Sequence, residues 1–220
     1  MKKIIYFLTL VAVLVSSCNY SEYFAKAKTY YSQFKNSELQ YTWDFNESLT
    51  NEKGGTIGGR TFNPNYFQLK KYNQFREVTT SLNSLLKRFK YINPPYNIQF
   101  KHEEGHIYQL KILNRTNLDE LYDNTICNLV DPTKEYFVSV TEGSADYYSI
   151  SYFNNSLSDE YTQYEKRNLD NERFKRYYQG FLFTNYTISK LIYSDVKNFI
   201  LNVCTKKQYN LYEDYVKTLT

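Results

Sequence analysis

The two histidines of this 220-residue chain stand four positions apart, with a glutamate directly after the first, in Lys101-His102-Glu103-Glu104-Gly105-His106. On a helix, positions i and i+4 share a face, so two imidazoles placed there can each give one ring nitrogen to the same metal ion. His-Glu-x-x-His is the spacing that holds zinc while the intervening glutamate takes a proton from water. The chemistry expected here is metal-assisted hydrolysis, with His102 and His106 as zinc ligands and Glu103 as the base.

The same residues fit a second local structure. Ile98, Phe100 and His102 alternate with Asn97, Gln99 and Lys101. The alternation resumes after Glu103-Glu104-Gly105 with His106, Tyr108, Leu110 and Ile112. That pattern describes a β-hairpin with a glycine in its loop. Gly105 inside a helix costs about 1 kcal/mol relative to alanine. Taken alone, the stretch leaves helix and hairpin open; in the hairpin the histidine spacing is a coincidence in a small β-rich protein.

A second segment, Thr141-Glu142-Gly143-Ser144-Ala145-Asp146-Tyr147-Tyr148, lies on the helix expected to open at Asp131-Pro132. His-Glu-x-Gly-His followed downstream by Glu-Gly-x-Ala-Asp-Tyr resembles the gluzincin branch of zinc metallopeptidases. Gln109 extends the first motif to His-Glu-x-x-His-x-x-Gln, which is similar to the peptidases of the plant basic secretory protein type. The resemblance covers roughly the middle of the chain, from the Gly-rich stretch to Tyr177-Tyr178-Gln179-Gly180. It implies Zn2+ as cofactor, a peptide or protein as substrate, Glu142 as third ligand and Asp146 as the carboxylate supporting a ligand histidine, His102. Glu142 and Asp146 are four apart, so a helix presents both on one face. Three protein ligands leave the fourth zinc position open. The resemblance also implies a tyrosine on a later helix that steadies the oxyanion; Tyr177 is the candidate and Tyr178 the alternative. Should Glu142 point away, Glu120 and Glu135 are the next carboxylates.

The pattern has departures. Lys101 and Glu104 are charged where many relatives are apolar, and no substrate-amine motif precedes the histidines, so the substrate class stays open. A binding lipoprotein that keeps the fold without turnover, using its abundant tyrosines for recognition, is the rival functional reading.

The rest of the chain must position these residues. Only 7 Gly and 4 Pro punctuate it, which favours helices over a turn-rich β fold. The expected fold is α+β: a mostly helical, zincin-like domain with a small sheet before the active-site helix. Tyr41, Trp43 and Phe45 alternate with polar residues as in a half-buried strand, and Tyr66 to Leu69 form another after the turn at Asn63-Pro64-Asn65. Gly54-Gly55-Thr56-Ile57-Gly58-Gly59-Arg60-Thr61 lacks the Gly-Lys-Ser/Thr of a phosphate loop and reads as a turn and an irregular strand. Tyr72 to Tyr91 form an amphipathic helix ended by Asn93-Pro94-Pro95. Asn117 caps a short helix through Leu129, and the pattern from Ser158 onward is mostly helical.

At the N-terminus, Lys2-Lys3 precedes an apolar run, Ile4 to Val15, too short to span a bilayer and suited to a signal peptide. It ends in Val15-Ser16-Ser17-Cys18, which resembles the bacterial lipobox, so Cys18 is expected to be the lipidated first residue of the mature protein. An ordinary secretory signal cleaved nearby is the alternative; either way the chain is exported to the cell envelope, in the first case lipid-anchored at a membrane surface. The expected organisation is a signal peptide over residues 1–17, a tether and short helix over 18–40, and a catalytic domain over 41–220. The net charge of +4 is spread along the chain, with basic residues only in pairs such as Lys87-Arg88 and Lys206-Lys207, so no nucleic-acid surface is expected. Cys127 and Cys204 either pair outside the cytoplasm or are buried thiols.

Overall fold

The computed structural model describes residues 25, 27–46, 48–49, 58–70, 94–121, 134–153 and 171–219. The chain divides between Asn36 and Ser37 into two compact units. In the first, residues 27–32 are helical, and the Tyr30 ring meets Tyr31 and Phe34 edge-on at 5.3 Å each. The expected signal peptide and Cys18 lie outside the described residues, as do the expected helix 72–91, Cys127 and Asp131-Pro132.

The second unit is mixed α+β, mostly helical with one small sheet. Strands β1 (Thr42–Asn46), β2 (Gly59–Asn63) and β3 (Tyr66–Lys70) are ordered β1-β3-β2, with β1 parallel and β2 antiparallel to β3. The alternation read at Trp43 places it on the buried face with Thr61, Phe67 and Leu69. Between β2 and β3 the chain turns at Asn63-Pro64-Asn65, where the Asn63 side chain accepts a hydrogen bond from the Asn65 amide at 2.8 Å.

Helix α1 (Pro94–Leu113) packs across that face. Phe100, fully buried, sits edge-on to Trp43 at 5.1 Å and Phe67 at 5.3 Å. Truncating such a ring costs about 3–5 kcal/mol. Pro94 and Pro95, expected to end the preceding helix, form the first turn of this one, where a missing N–H costs nothing. Asn114, at φ 52°, ends α1 in the left-handed conformation that a short amide side chain tolerates. The hairpin alternative does not occur: Gly105 lies mid-helix.

Beyond a 3-10 turn at Asp119–Leu121, whose Glu120 amide donates to the Asn117 side chain at 3.1 Å, come α2 (Lys134–Tyr152), α3 (Glu172–Ser189), α4 (Val196–Leu201) and α5 (Lys206–Lys217). Asn171, Asp195 and Thr205 cap the last three by accepting from amides of their first turns. Their core is aromatic, built from Tyr136, Phe137, Phe183, Phe199 and Tyr212 with aliphatic neighbours. Two of its buried phenols are hydrogen-bonded, Tyr136 donating to Val203 O and Tyr212 to Ser139 Oγ, each at 2.8 Å, whereas the Tyr193 hydroxyl has no partner among the described residues. Cys204 is disulfide-bonded rather than a free thiol. No described helix is long and apolar enough to cross a membrane.

Candidate metal centre

The site forms where α1 and α2 touch backbone to backbone. A Cβ on Gly105 would stand 2.9 Å from Ala145 Cα, so the glycine that weakens α1 locally is what admits α2 this closely. The contact sets the His102–His106 face of α1 against the Glu142–Asp146 face of α2. The α2–α3 contact is closer still. A Cβ on Gly180 would lie 1.7 Å from Ser139 O, and one on Gly143 would lie 2.1 Å from Gly180 C. Gly143 therefore serves a helix crossing that carries Tyr177, one turn before Gly180, toward the same face.

His102 Nε2, His106 Nε2 and Glu142 Oε2 form a triangle with edges of 3.1, 3.2 and 3.4 Å. Each histidine is held by its other nitrogen. His102 Nδ1 lies 2.6 Å from Asp146 Oδ1, and an ionised carboxylate can only accept, so in the neutral ring Nδ1 carries the proton and Nε2 keeps its lone pair. His106 Nδ1 lies 2.8 Å from Gln109 Oε1. The amide orientation follows from its far end: Gln109 Nε2 donates to Thr141 O at 2.6 Å, an acceptor only, and to Ser144 Oγ at 2.9 Å. His106 is thus the same tautomer, with Nε2 turned to the triangle.

The electrostatics match a site built for a cation. Burial opposes charge on His102, but the Asp146 and Glu142 carboxylates outweigh it and raise the imidazole well above its usual range. Burial would likewise raise Glu142; the fields and hydrogen bonds of His106 and His102 overcome it and hold the carboxyl well below the usual range. The cluster is buried, with the His102 and Glu142 side chains each retaining 11% exposure.

The chain matches no protein-family model, no curated protein and no solved structure. The test of metal binding is therefore the donor geometry. Zinc at about 2.0–2.1 Å from each of three tetrahedral ligands requires donor separations of about 3.3 Å. The triangle meets that requirement before any ion is added. His102, His106 and Glu142 form a buried group that could hold a metal ion, and they are the three that the sequence singled out.

The other candidate residues are held by their own hydrogen bonds and packing. Both Glu103 oxygens accept hydrogen bonds, Oε1 from Gln99 Nε2 at 2.7 Å and Oε2 from Thr61 Oγ1 at 2.9 Å. Tyr177 is buried, and its hydroxyl accepts from Arg173 Nε at 2.9 Å. Burial and the nearby Glu142 charge push the phenol well above its usual range, so it stays protonated, while Arg173 pulls the other way. Tyr178, the alternative, packs instead against Ile150 and Phe181. Glu120 is bound to Thr116, and Glu135 pairs with Arg176 at 3.3 Å, so neither substitutes for Glu142.

Lys101 and Glu104, out of pattern in the sequence, pair with each other, both fully buried. Glu104 also accepts from Tyr41 and, at 3.0 Å, from Tyr148; the Lys101 ammonium lies 3.7 Å from the centre of the Tyr152 ring. Through Tyr148 on α2 and Tyr41, which directly precedes β1, this ion pair ties α1 to both beside the candidate metal cluster. The sequence offered local hints for Gln109, Gln99 and Arg173, each three or four positions from the residue it contacts. It offered none for Thr61, which arrives through the sheet.

Proposed function

We propose that this chain is an exported, lipid-anchored zinc metallopeptidase of the gluzincin type, with a zincin-like fold. The observation that carries the reading is the triangle of His102 Nε2, His106 Nε2 and Glu142 Oε2 at zinc-ligand separations, with both imidazoles locked in the donating tautomer. When bound, zinc would polarise the scissile carbonyl and lower the pKa of water toward neutrality. The chain supplies the rest. Glu103 takes the proton of the attacking water and returns it to the leaving amine. Tyr177, kept a phenol, donates to the developing oxyanion. Strand β2, one of the two outer strands of the described sheet and the one that touches Glu103, offers a backbone edge to an extended peptide. The disulfide at Cys204 is in keeping with a compartment outside the cytoplasm. In this reading Cys18 carries the lipid anchor, so Cys18→Ala should leave the protein off membranes in cell fractionation.

The deciding experiment pairs elemental analysis with casein digestion. Near-stoichiometric zinc, with digestion abolished in Glu103→Gln while zinc is retained, is the expected result. Zinc with no turnover in wild type would leave a metal-binding lipoprotein; no zinc, even after addition, overturns the reading.

A further inference from the structure

We propose that Thr61 and Gln99 are positioning residues for Glu103, clamping both oxygens of its carboxylate so that the base meets the site in one fixed orientation. The inference rests on the reading of Glu103 as the base. Glu103 is 3% exposed and Thr61 2% exposed, so their contact is sheltered from water. Thr61 Oγ1 lies 2.9 Å from Glu103 Oε2 and 3.0 Å from the Glu103 carbonyl oxygen, so its one hydroxyl proton is shared between the two acceptors. Gln99, one helical turn earlier, holds Oε1 at 2.7 Å. Gly59 closes the remaining side: a Cβ there would fall 2.4 Å from Oε1 and 2.7 Å from Cγ, so β2 lies flat against the carboxylate only because residue 59 has no side chain.

The chemistry of the clamp differs from that of the next residue. Glu104 is paired with the Lys101 ammonium, whereas Glu103 is held by a neutral amide and a neutral hydroxyl. Neutral donors hold the carboxylate in place without an ion pair. An ionised carboxylate has about four acceptor positions, and the clamp uses two. Because Thr61 belongs to the strand proposed to pair with substrate, the position of the base is tied to that strand. A base displaced by a fraction of an ångström loses much of its advantage.

The test uses the zinc-loaded full chain and acetohydroxamate, which must give up a proton to a nearby base as it chelates. Binding is measured by calorimetry, and zinc content by elemental analysis. Thr61→Val and Gln99→Leu should keep full zinc and weaken acetohydroxamate on the order of tenfold. Thr61→Ser, which restores the hydroxyl, should bind as wild type, a rescue that a packing role alone does not require. Glu103→Gln should be weakened at least as much. If Glu103→Gln is weak while Thr61→Val and Gln99→Leu bind as wild type, the clamp is wrong and the base stands. If Glu103→Gln binds as tightly as wild type, the base reading fails and the clamp with it.

Discussion

Replacing Gln109 with leucine removes the acceptor for His106 Nδ1–H and touches none of the three candidate ligands. The His106 side chain is 3% exposed, so the bare N–H finds no water. An unmet buried donor of this kind costs about 1–3 kcal/mol. The donations from Gln109 Nε2 to Thr141 O and Ser144 Oγ are lost as well, but Ser144 Oγ keeps its own bond to Val140 O at 2.6 Å. Free of its restraint, the His106 ring can rotate or change tautomer, and Nε2 leaves the triangle for part of the time. Losing a partner of this sort costs roughly 10–100-fold in metal affinity. The assay is zinc competition against a chromophoric chelator, with urea unfolding of the metal-free protein to report stability separately. Gln109→Glu sharpens the test: it restores an acceptor for Nδ1–H but sets carboxylate oxygen against the Thr141 carbonyl, so it should recover zinc affinity more than stability. A folded Gln109→Leu protein that holds zinc within twofold of wild type would refute the argument that Gln109 sets the His106 tautomer.

Three further outcomes are expected. Glu142→Ala should abolish stoichiometric zinc after dialysis, whereas Asp146→Asn, which leaves the ligand set intact, should weaken zinc roughly 10–100-fold; equal effects from both would contradict the assigned roles. In the metal-free protein, the raised His102 contributes stability that is fully present below its ordinary value of 6.5 and lost as pH rises through its folded value. The depressed Glu142 contributes stability that is present above 4.5 and lost as pH falls through its folded value. Metal-free stability should therefore peak between those values, and zinc added near pH 7 in weak buffer should release about one proton per ion, since the ligand imidazoles must be neutral; a titration with no proton release counts against it. Leu191 is 84% exposed at φ 57°, so Leu191→Gly should stabilise by about 1 kcal/mol, raising Tm by about 2–4 °C in a calorimetric scan.

The candidate metal cluster was legible in the sequence because its geometry is local. Four-residue spacings on two helices fix which side chains share a face, and His102, His106, Glu142 and Asp146 needed only those helices to meet. The helix itself was the harder part. Residues 98–112 alternate as a strand would, because α1 is buried on several sides at once. Phe100 faces the sheet, His102 and Gln109 face α2, and Lys101 and Glu104 fill a polar interior of their own. A helix buried around most of its girth has no polar face to give it a 3.6-residue signature. Gly105 looked like evidence for a turn because its cost is local, while its benefit, room for Ala145, comes from a residue forty positions away. The same holds for Gly143 and Gly180, which read as motif letters and act as the contact between two helices. Thr61 marks the limit of reading along the chain. Nothing around it in the sequence points to Glu103; the two meet only because an antiparallel strand lies across α1, so the partner of the proposed base could be found only once the sheet was placed.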